Sequence, residues 1–545
     1  MNKWLEYSQL DEKLKEELLK MSPEEQIDAF YTDLRFGTGG MRGIIGPGTN
    51  RMNIYTLRKA NYGYGKYILK HYDNPSVVIA YDSRNQSQTF AIDSARVLAT
   101  LGIKVYIFKK VTPTPELSFA IRYLQTSGGI VITASHNPPQ YNGYKIFDNT
   151  GCQLVPDLIT EVIEEINKAP DFFEINPLDV ETLQQQEKIS YVCCDVDKKY
   201  LQLVASLDNN QDKKLKIIYT PLHGTGGYLA NQLLSCLGYD YLCVPEQMIP
   251  DATFPTVTYP NPEDQNAYRL ALTYAKDFPA DLIAASDPDA DRLGIAVFAN
   301  GKYHFLNGNQ TGAIFIEYLC KNGNGDIIIN TIVTSDLGKR IANAYNKHVI
   351  STLTGFKYIG EQMNLIEQMN HRFLFGYEES YGYTLLDIVR DKDSLQALVK
   401  ISEIANYYKL QNKTLLDALE EIYEKYGYFI EETINMTFAG IDGSKKMSRI
   451  IDYLRYHNIP ELNIKRKEDY LYEDYYTNIT HTLLPKENVL KFYFEDESWI
   501  AIRPSGTEPK LKIYFSVNAR TLVEAEKRLD DLKKIMNNIV ERVEQ

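Results

Sequence analysis

The sequence predicts an α/β protein: three successive α/β units, then a smaller α+β domain. Three observations carry that reading. Short, wholly apolar runs alternate with helical stretches, as when strands are buried on both faces. Several of those runs end in a polar, often glycine-containing loop, which is where open α/β sheets place their chemistry. The last ~110 residues differ in character, with a hairpin, one further strand and a charged terminal helix, at a length that suits one compact domain. At 545 residues the chain is too long for a single core.

The elements follow in order. Residues 1–35 read as a helical preamble, in which Ser22-Pro23-Glu24-Glu25 is an N-cap with proline at N1. Arg35-Phe36-Gly37-Thr38-Gly39-Gly40-Met41-Arg42-Gly43 allows close backbone approach to a ligand and offers Arg42 to an anion; a flexible turn fits it equally well. A strand over 76–80, a helix over about 89–101 and a strand over 104–108 precede the apolar run Gly128-Gly129-Ile130-Val131-Ile132. That run ends in Thr133-Ala134-Ser135-His136-Asn137-Pro138. Asn137-Pro138-Pro139 stops a helix from starting there, so Ser135 is presented on a constrained loop. The next loop is expected to turn at Asn142-Gly143 and deliver Lys145.

The second unit opens with a strand over 215–219. It continues to a buried strand over 281–285 that ends in Asp287-Pro288-Asp289-Ala290-Asp291-Arg292. The third opens at Gly308-Asn309-Gln310-Thr311-Gly312 and contains a strand over 327–329 and the stretch Thr354-Gly355-Phe356-Lys357. It ends with a strand over 372–375 leading into Gly376-Tyr377-Glu378-Glu379-Ser380. In the last domain a hairpin over 490–494 and 498–502 leads to Arg503-Pro504-Ser505-Gly506-Thr507, a strand over 510–517 and a helix from about Leu522.

A formal net charge of −13 argues against nucleic-acid and anionic-membrane partners, both of which favour basic surfaces. No stretch approaches the ~18 apolar residues of a membrane span, and residues 1–12 have no apolar signal core. The expectation is a soluble, cytoplasmic protein whose contacts to any anionic substrate are local. The six cysteines form no C-x-x-C pair and are expected to be reduced and mostly buried.

Asp287, Asp289 and Asp291 place three hard carboxylates on one tight loop, which suits Mg²⁺. An EF-hand is excluded, because its sixth position would be Arg292 and its twelfth Phe298. Ser135 and His136 are adjacent, and neighbouring side chains on a turn are expected to diverge rather than form a catalytic pair; no G-x-S-x-G elbow surrounds the serine. A serine acting with Mg²⁺ suggests phosphoryl chemistry. Arg503, Ser505, Gly506 and Thr507 have the inventory to hold a phosphate monoester. Glu378, Glu379 and Ser380 are suited to vicinal sugar hydroxyls.

With these residues assembled, the chain resembles the α-D-phosphohexomutase superfamily, the phosphoglucomutase/phosphomannomutase enzymes. Four motifs stand in that family's order: Thr133-Ala134-Ser135-His136-Asn137-Pro138, Asp287-Pro288-Asp289-Ala290-Asp291-Arg292, Gly376-Tyr377-Glu378-Glu379-Ser380 and Arg503-Pro504-Ser505-Gly506-Thr507. The early glycine stretch and the Glu-Glu-Ser-Tyr-Gly-Tyr form are similar to the bacterial phosphoglucomutase and phosphopentomutase-like branch.

The resemblance implies three α/β domains with mixed sheets and a C-terminal α+β domain around a central cleft. These are assigned to residues 1–195, 196–304, 305–430 and 431–545. It implies a Mg²⁺-dependent transfer of phosphate between glucose 1-phosphate and glucose 6-phosphate through a phosphoserine and glucose 1,6-bisphosphate. Ser135 would carry the phosphoryl group and complete the metal site of Asp287, Asp289 and Asp291. Lys145, Arg42 and His136 are the further catalytic candidates. Glu378 and Ser380 would read the sugar, and Arg503, Ser505, Gly506 and Thr507 would hold the idle phosphate. Arg292, Thr354, Gly355 and Lys357 are additional ligand contacts. Mannose or pentose phosphates under the same mechanism, and a serine/metal phosphomonoester hydrolase, are the alternatives.

Overall fold

The computed structural model describes residues 2–37, 39–210, 212–438, 443–504 and 510–544. The chain forms two compact units. The first comprises Met1–Asn307, Phe356–Gln368 and Ser380–Thr414; the second comprises Gly308–Gly355, Met369–Glu379 and Leu415–Gln545.

The first unit holds two mixed sheets. One contains β1 (Met41–Ile44), β2 (Ser76–Tyr81), β3 (Lys104–Ile107), β4 (Gly128–Ile132), β5 (Tyr141–Asp148) and β6 (Ile189–Tyr191), in the spatial order β1-β5-β4-β2-β3-β6. β2, β3, β4 and β6 run parallel, while β5 is antiparallel to both β4 and β1. Every residue of β4 is buried, as its unbroken apolar run predicts. Its neighbours include Val77, Ile79, Ile146 and, from the flanking helices, Tyr64, Leu98 and Val162. The second sheet contains β7 (Lys216–Thr220), β8 (Asp240–Cys243), β9 (Leu282–Ser286), β10 (Leu293–Ala299) and β11 (Lys302–Leu306), in the order β11-β10-β9-β7-β8. β7, β8 and β9 are parallel, and β9-β10-β11 is an antiparallel meander.

The helical preamble is present. Ser22 and Glu25 form a reciprocal capping box with Pro23 in the first turn, and Trp4 anchors a small cluster with Leu18, Tyr55 and Phe173. In the second unit, β12 (Ile327–Thr331) pairs in parallel with β13 (His348–Thr352) and β14 (Phe373–Glu378). Its C-terminal sheet is wholly antiparallel, ordered Tyr428–Thr437, Lys510–Ala519, Trp499–Pro504, Leu490–Tyr493 and Arg466–Asp469. The helices Gly443–Tyr456 and Leu522–Glu544 contribute Ile450, Leu454, Leu532 and Met536 to its core.

Two expectations are corrected. Asn142-Gly143 is not a turn but lies inside β5. The Asn142 side chain is satisfied locally, with Nδ2 donating to Asn85 O and Ser87 Oγ while Oδ1 accepts from Gly143 N. A Cβ on Gly143 would stand 2.4 Å from Thr133 O, so the glycine serves close strand packing rather than a turn. The cysteines are all free, but only Cys152 and Cys320 are buried; Cys193, Cys194 and Cys236 are exposed. Among the described residues, no helix is long and apolar enough to cross a membrane.

Candidate functional site

The serine loop begins where β4 ends. Ser135 adopts φ +51°, the left-handed region that non-glycine residues seldom enter, and its N–H donates to Thr133 Oγ1 at 2.8 Å. Its hydroxyl donates to Asp287 Oδ2 at 2.7 Å, across 152 residues of sequence. The neighbouring His136 does not diverge as a turn predicts, since its Nδ1 stands 3.2 Å from Ser135 Oγ. Burial, with Arg292 and Arg42 nearby, pushes the His136 imidazole well below its ordinary range, so the ring is neutral at neutral pH. Arg42, exposed on β1, donates from Nη1 to Asn137 Oδ1 at 3.0 Å.

The aspartate loop connects β9 to β10. Ala290, at φ +54°, closes it by donating its N–H to Asp287 O at 2.9 Å. Asp287 Oδ1 accepts from the backbone N–H groups of Asp291 and Arg292 at 3.1 and 3.0 Å. All three aspartates are buried, at 0 %, 0 % and 2 % exposure. Each offers a carboxylate oxygen within 4.8 Å of the others, while Asp289 Oδ1 and Asp291 Oδ1 accept no hydrogen bond. Burial and the repulsion of Asp291 and Asp289 raise the Asp287 carboxyl well above its ordinary range. Hard oxygen donors, two of them buried without a hydrogen bond, fit a divalent cation of the Mg²⁺ type.

Two lysines compensate the cluster. Lys145 on β5 is held by pairing with Val131 of β4, and its Nζ reaches Asp289 Oδ2 at 3.1 Å and Asp291 Oδ2 at 3.6 Å. Lys392 reaches Asp291 Oδ2 at 3.2 Å. Burial raises the Asp289 carboxyl, but Lys145 overcomes this and holds it well below the usual range. Thr114 grips Asp289 twice, its hydroxyl donating to Oδ2 and its N–H to the backbone carbonyl, both at 2.9 Å. Sequence reasoning missed Lys392 and Thr114. The only signals were Thr112-Pro113-Thr114-Pro115 after a strand and Asp391-Lys392-Asp393, neither of which names a chemistry.

The structure thus brings Ser135, His136, Lys145 and the three aspartates together, with Arg42 at the loop's edge. Arg292 follows the third aspartate and pairs with Glu263. Lys357, buried at the start of the helix Phe356–Glu367, and the partly exposed Ser380 also belong to the first unit. Thr354, Gly355, Glu378 and Arg503 belong to the second. There Gly355 adopts φ +119°, Thr354 Oγ1 is buried without a partner, and Glu378 ends β14 at 7 % exposure. Arg503 Nε pairs with Glu487 at 2.8 Å. Ser505, Gly506 and Thr507 lie outside the described residues.

Models of the phosphoglucomutase/phosphomannomutase family match in order: α/β/α domain I at residues 33–172, domain II at 198–300, domain III at 307–426 and the C-terminal domain at 460–538. A phosphoglucomutase from Staphylococcus haemolyticus is 39% identical over 511 residues, covering 90% of this chain and 92% of that protein. One from Staphylococcus saprophyticus is 37% identical, covering 98% and 99%. Among solved structures, Paramecium parafusin, described as a phosphoglucomutase, superimposes with a TM-score of 0.71 at 18% identity, covering 94% of this chain and 95% of that one. A phosphoglucomutase/phosphomannomutase family protein from Burkholderia thailandensis gives 0.70 at 19%, covering 92% and 97%. Those two likenesses speak for the fold alone. The ordered family models and the Staphylococcus identities show that the chain belongs to the phosphoglucomutase/phosphomannomutase family.

Proposed function

We propose that this chain is a Mg²⁺-dependent phosphoglucomutase of the cytoplasm, interconverting glucose 1-phosphate and glucose 6-phosphate through a phosphoserine at Ser135 and glucose 1,6-bisphosphate. The observation that carries the reading is Ser135 Oγ at 2.7 Å from Asp287 Oδ2, within a buried triad whose remaining oxygens suit a cation. A hydrolase needs only one phosphate site. The second-unit residues Glu378 and Arg503 supply a sugar reader and a second phosphate grip, the latter completed by Ser505, Gly506 and Thr507. Relatives named phosphoglucomutase favour glucose over mannose or pentose phosphates. In this reading the domains divide as 1–195, 196–304, 305–430 and 431–545.

When bound, Mg²⁺ supplies positive charge against the phosphoryl oxygens. The serine proton has two acceptors in reach, Asp287 Oδ2 and the neutral His136 Nδ1. Lys145, anchored on Asp289, and Arg42, anchored on Asn137, offset the charge of a phosphoserine, close to −2 at neutral pH. Ser380, Arg292, Thr354, Gly355 and Lys357 complete the ligand contacts.

The test is purified protein with Mg²⁺, glucose 1-phosphate and a trace of glucose 1,6-bisphosphate. Glucose 6-phosphate should form, and intact mass should show a phosphate-sized addition that Ser135→Ala lacks. Steady release of inorganic phosphate without isomer formation would make the protein a hydrolase instead.

A further inference from the structure

We infer that Arg84 is the positioning residue that fixes the Ser135 loop for phosphoryl transfer, acting as a clamp on backbone carbonyls and not as a ligand for substrate phosphate. The kinetic part of this inference rests on the mutase reading; the structural part does not. Arg84 lies just past β2, in Asp82-Ser83-Arg84, and is buried at 3 % exposure. Its Nη2 donates to the carbonyls of Ser135 and Asn137. Its Nη1 donates to those of Pro138 and Tyr141 at 2.9 and 3.1 Å. The remaining N–H, on Nε, faces Asp82 Oδ2 at 3.3 Å, and Phe254 covers the guanidinium at 5.1 Å.

A guanidinium has five N–H groups; here four are committed to the loop, and the fifth, on Nε, is buried against the Asp82 carboxylate without a hydrogen bond. None remains for a phosphate. The four carbonyls span residues 135 to 141, so one planar group ties the nucleophile to the start of β5, the strand that carries Lys145. A second tie runs in parallel, Asn142 Nδ2 donating to Asn85 O and Ser87 Oγ in the same turn. Asp82 fixes the turn itself, its Oδ1 accepting from Arg84 N–H at 2.9 Å and from Ser87 Oγ at 2.6 Å. Such a clamp is needed because Ser135 sits at φ +51°, a conformation that persists only where its surroundings over-determine it. Lysine cannot substitute: it presents a point charge with three donors, not a planar fork.

The experiment compares Arg84→Lys and Arg84→Ala with the unaltered chain by mutase kinetics and by amide hydrogen exchange over residues 133–142. Arg84→Ala should lose on the order of 100-fold in kcat, the scale of a nucleophile misplaced by about 1 Å, with KM for glucose 1-phosphate within about threefold. Arg84→Lys should also fall, by less, and both should exchange faster over 133–142 with the rest of the first unit unchanged. Should Arg84→Ala not fold, Arg84→Lys carries the test alone. Full kcat in Arg84→Lys would reduce the residue to its charge, and a raised KM at unaltered kcat would make it a substrate ligand; either result overturns the clamp. Exchange over 133–142 that matches the unaltered chain overturns it as well. The exchange arm needs no turnover, so it decides on the clamp even if the unaltered protein proves not to be a mutase.

Discussion

Ser135 and the three aspartates are held in an arrangement that costs intrinsic stability. A non-glycine residue in the left-handed region costs ~1–2 kcal/mol, and three buried carboxylates within 4.8 Å repel one another strongly in a low dielectric. Lys145 and Lys392 offset part of that repulsion, and a divalent cation bound there would remove more. Excess Mg²⁺ should therefore raise the unfolding midpoint of chelator-treated protein, with ~2.7 kcal/mol available at a hundred times Kd. Asp289→Asn should abolish both that increment and most of the turnover. A Mg²⁺-induced rise that survives in Asp289→Asn would remove that carboxylate from the metal site. Ser135→Gly should unfold no earlier than the unaltered chain, since glycine enters the left-handed region at no steric cost, yet show no turnover. A clear fall in its midpoint would mean that the hydrogen bond to Asp287 outweighs the strain.

At the scale of elements, β5 shows where local sequence misleads. Asn-Gly is the strongest short hairpin signal, yet Asn142-Gly143 lies in mid-strand. The reason is tertiary: β5 must pass so close to the serine loop that only a residue without a side chain fits against Thr133 O. The same strand register sets Lys145 opposite Val131 and so aims it at Asp289. Gly143→Ala should push the loop and strand apart, costing ~1–3 kcal/mol as overpacking does and lowering kcat through misplacement of Ser135 and Lys145 together. A variant with unaltered midpoint and kcat would show that the loop gives way freely. The apolar runs that became β2, β4, β9 and β12 were legible because a fully buried strand needs an unbroken apolar segment. The Ser135 and Asp287–Asp291 loops were legible because their chemistry is concentrated in consecutive residues. Thr114, Lys392 and Arg84 were not, since each acts on groups far away in sequence, and isolated polar residues carry no pattern.

On the scale of the whole molecule, the chain's acidity hides a local titration in the second unit. Three groups there surround the segment that follows β12. Burial pushes Glu379 up to about 7, helped by Glu378, while Thr331 Oγ1 donates to its Oε2 at 3.1 Å. Burial likewise pushes Glu431 up to about 7. Burial pushes Lys491 down to about 7 despite Asp336, and its Nζ donates to Ile332 O at 2.6 Å. The signs follow from proton counting. For either glutamate, between its ordinary 4.5 and about 7 the folded protein binds more protons than the unfolded chain, so stability falls as pH rises through that window. For Lys491, between about 7 and its ordinary 10.5 the unfolded chain binds more, so stability rises with pH. Together the three place a stability minimum for this unit near neutral pH. The midpoint of its thermal transition should drop between pH 5 and pH 7, on a scale of ~2–4 °C per kcal/mol, and recover above pH 8. Glu379→Gln combined with Glu431→Gln should remove most of the drop and leave the alkaline recovery, because glutamine keeps an acceptor for Thr331 without a titration. Lys491→Met should do the reverse. A double glutamine variant whose midpoint still falls as steeply between pH 5 and pH 7 would assign that loss to other groups.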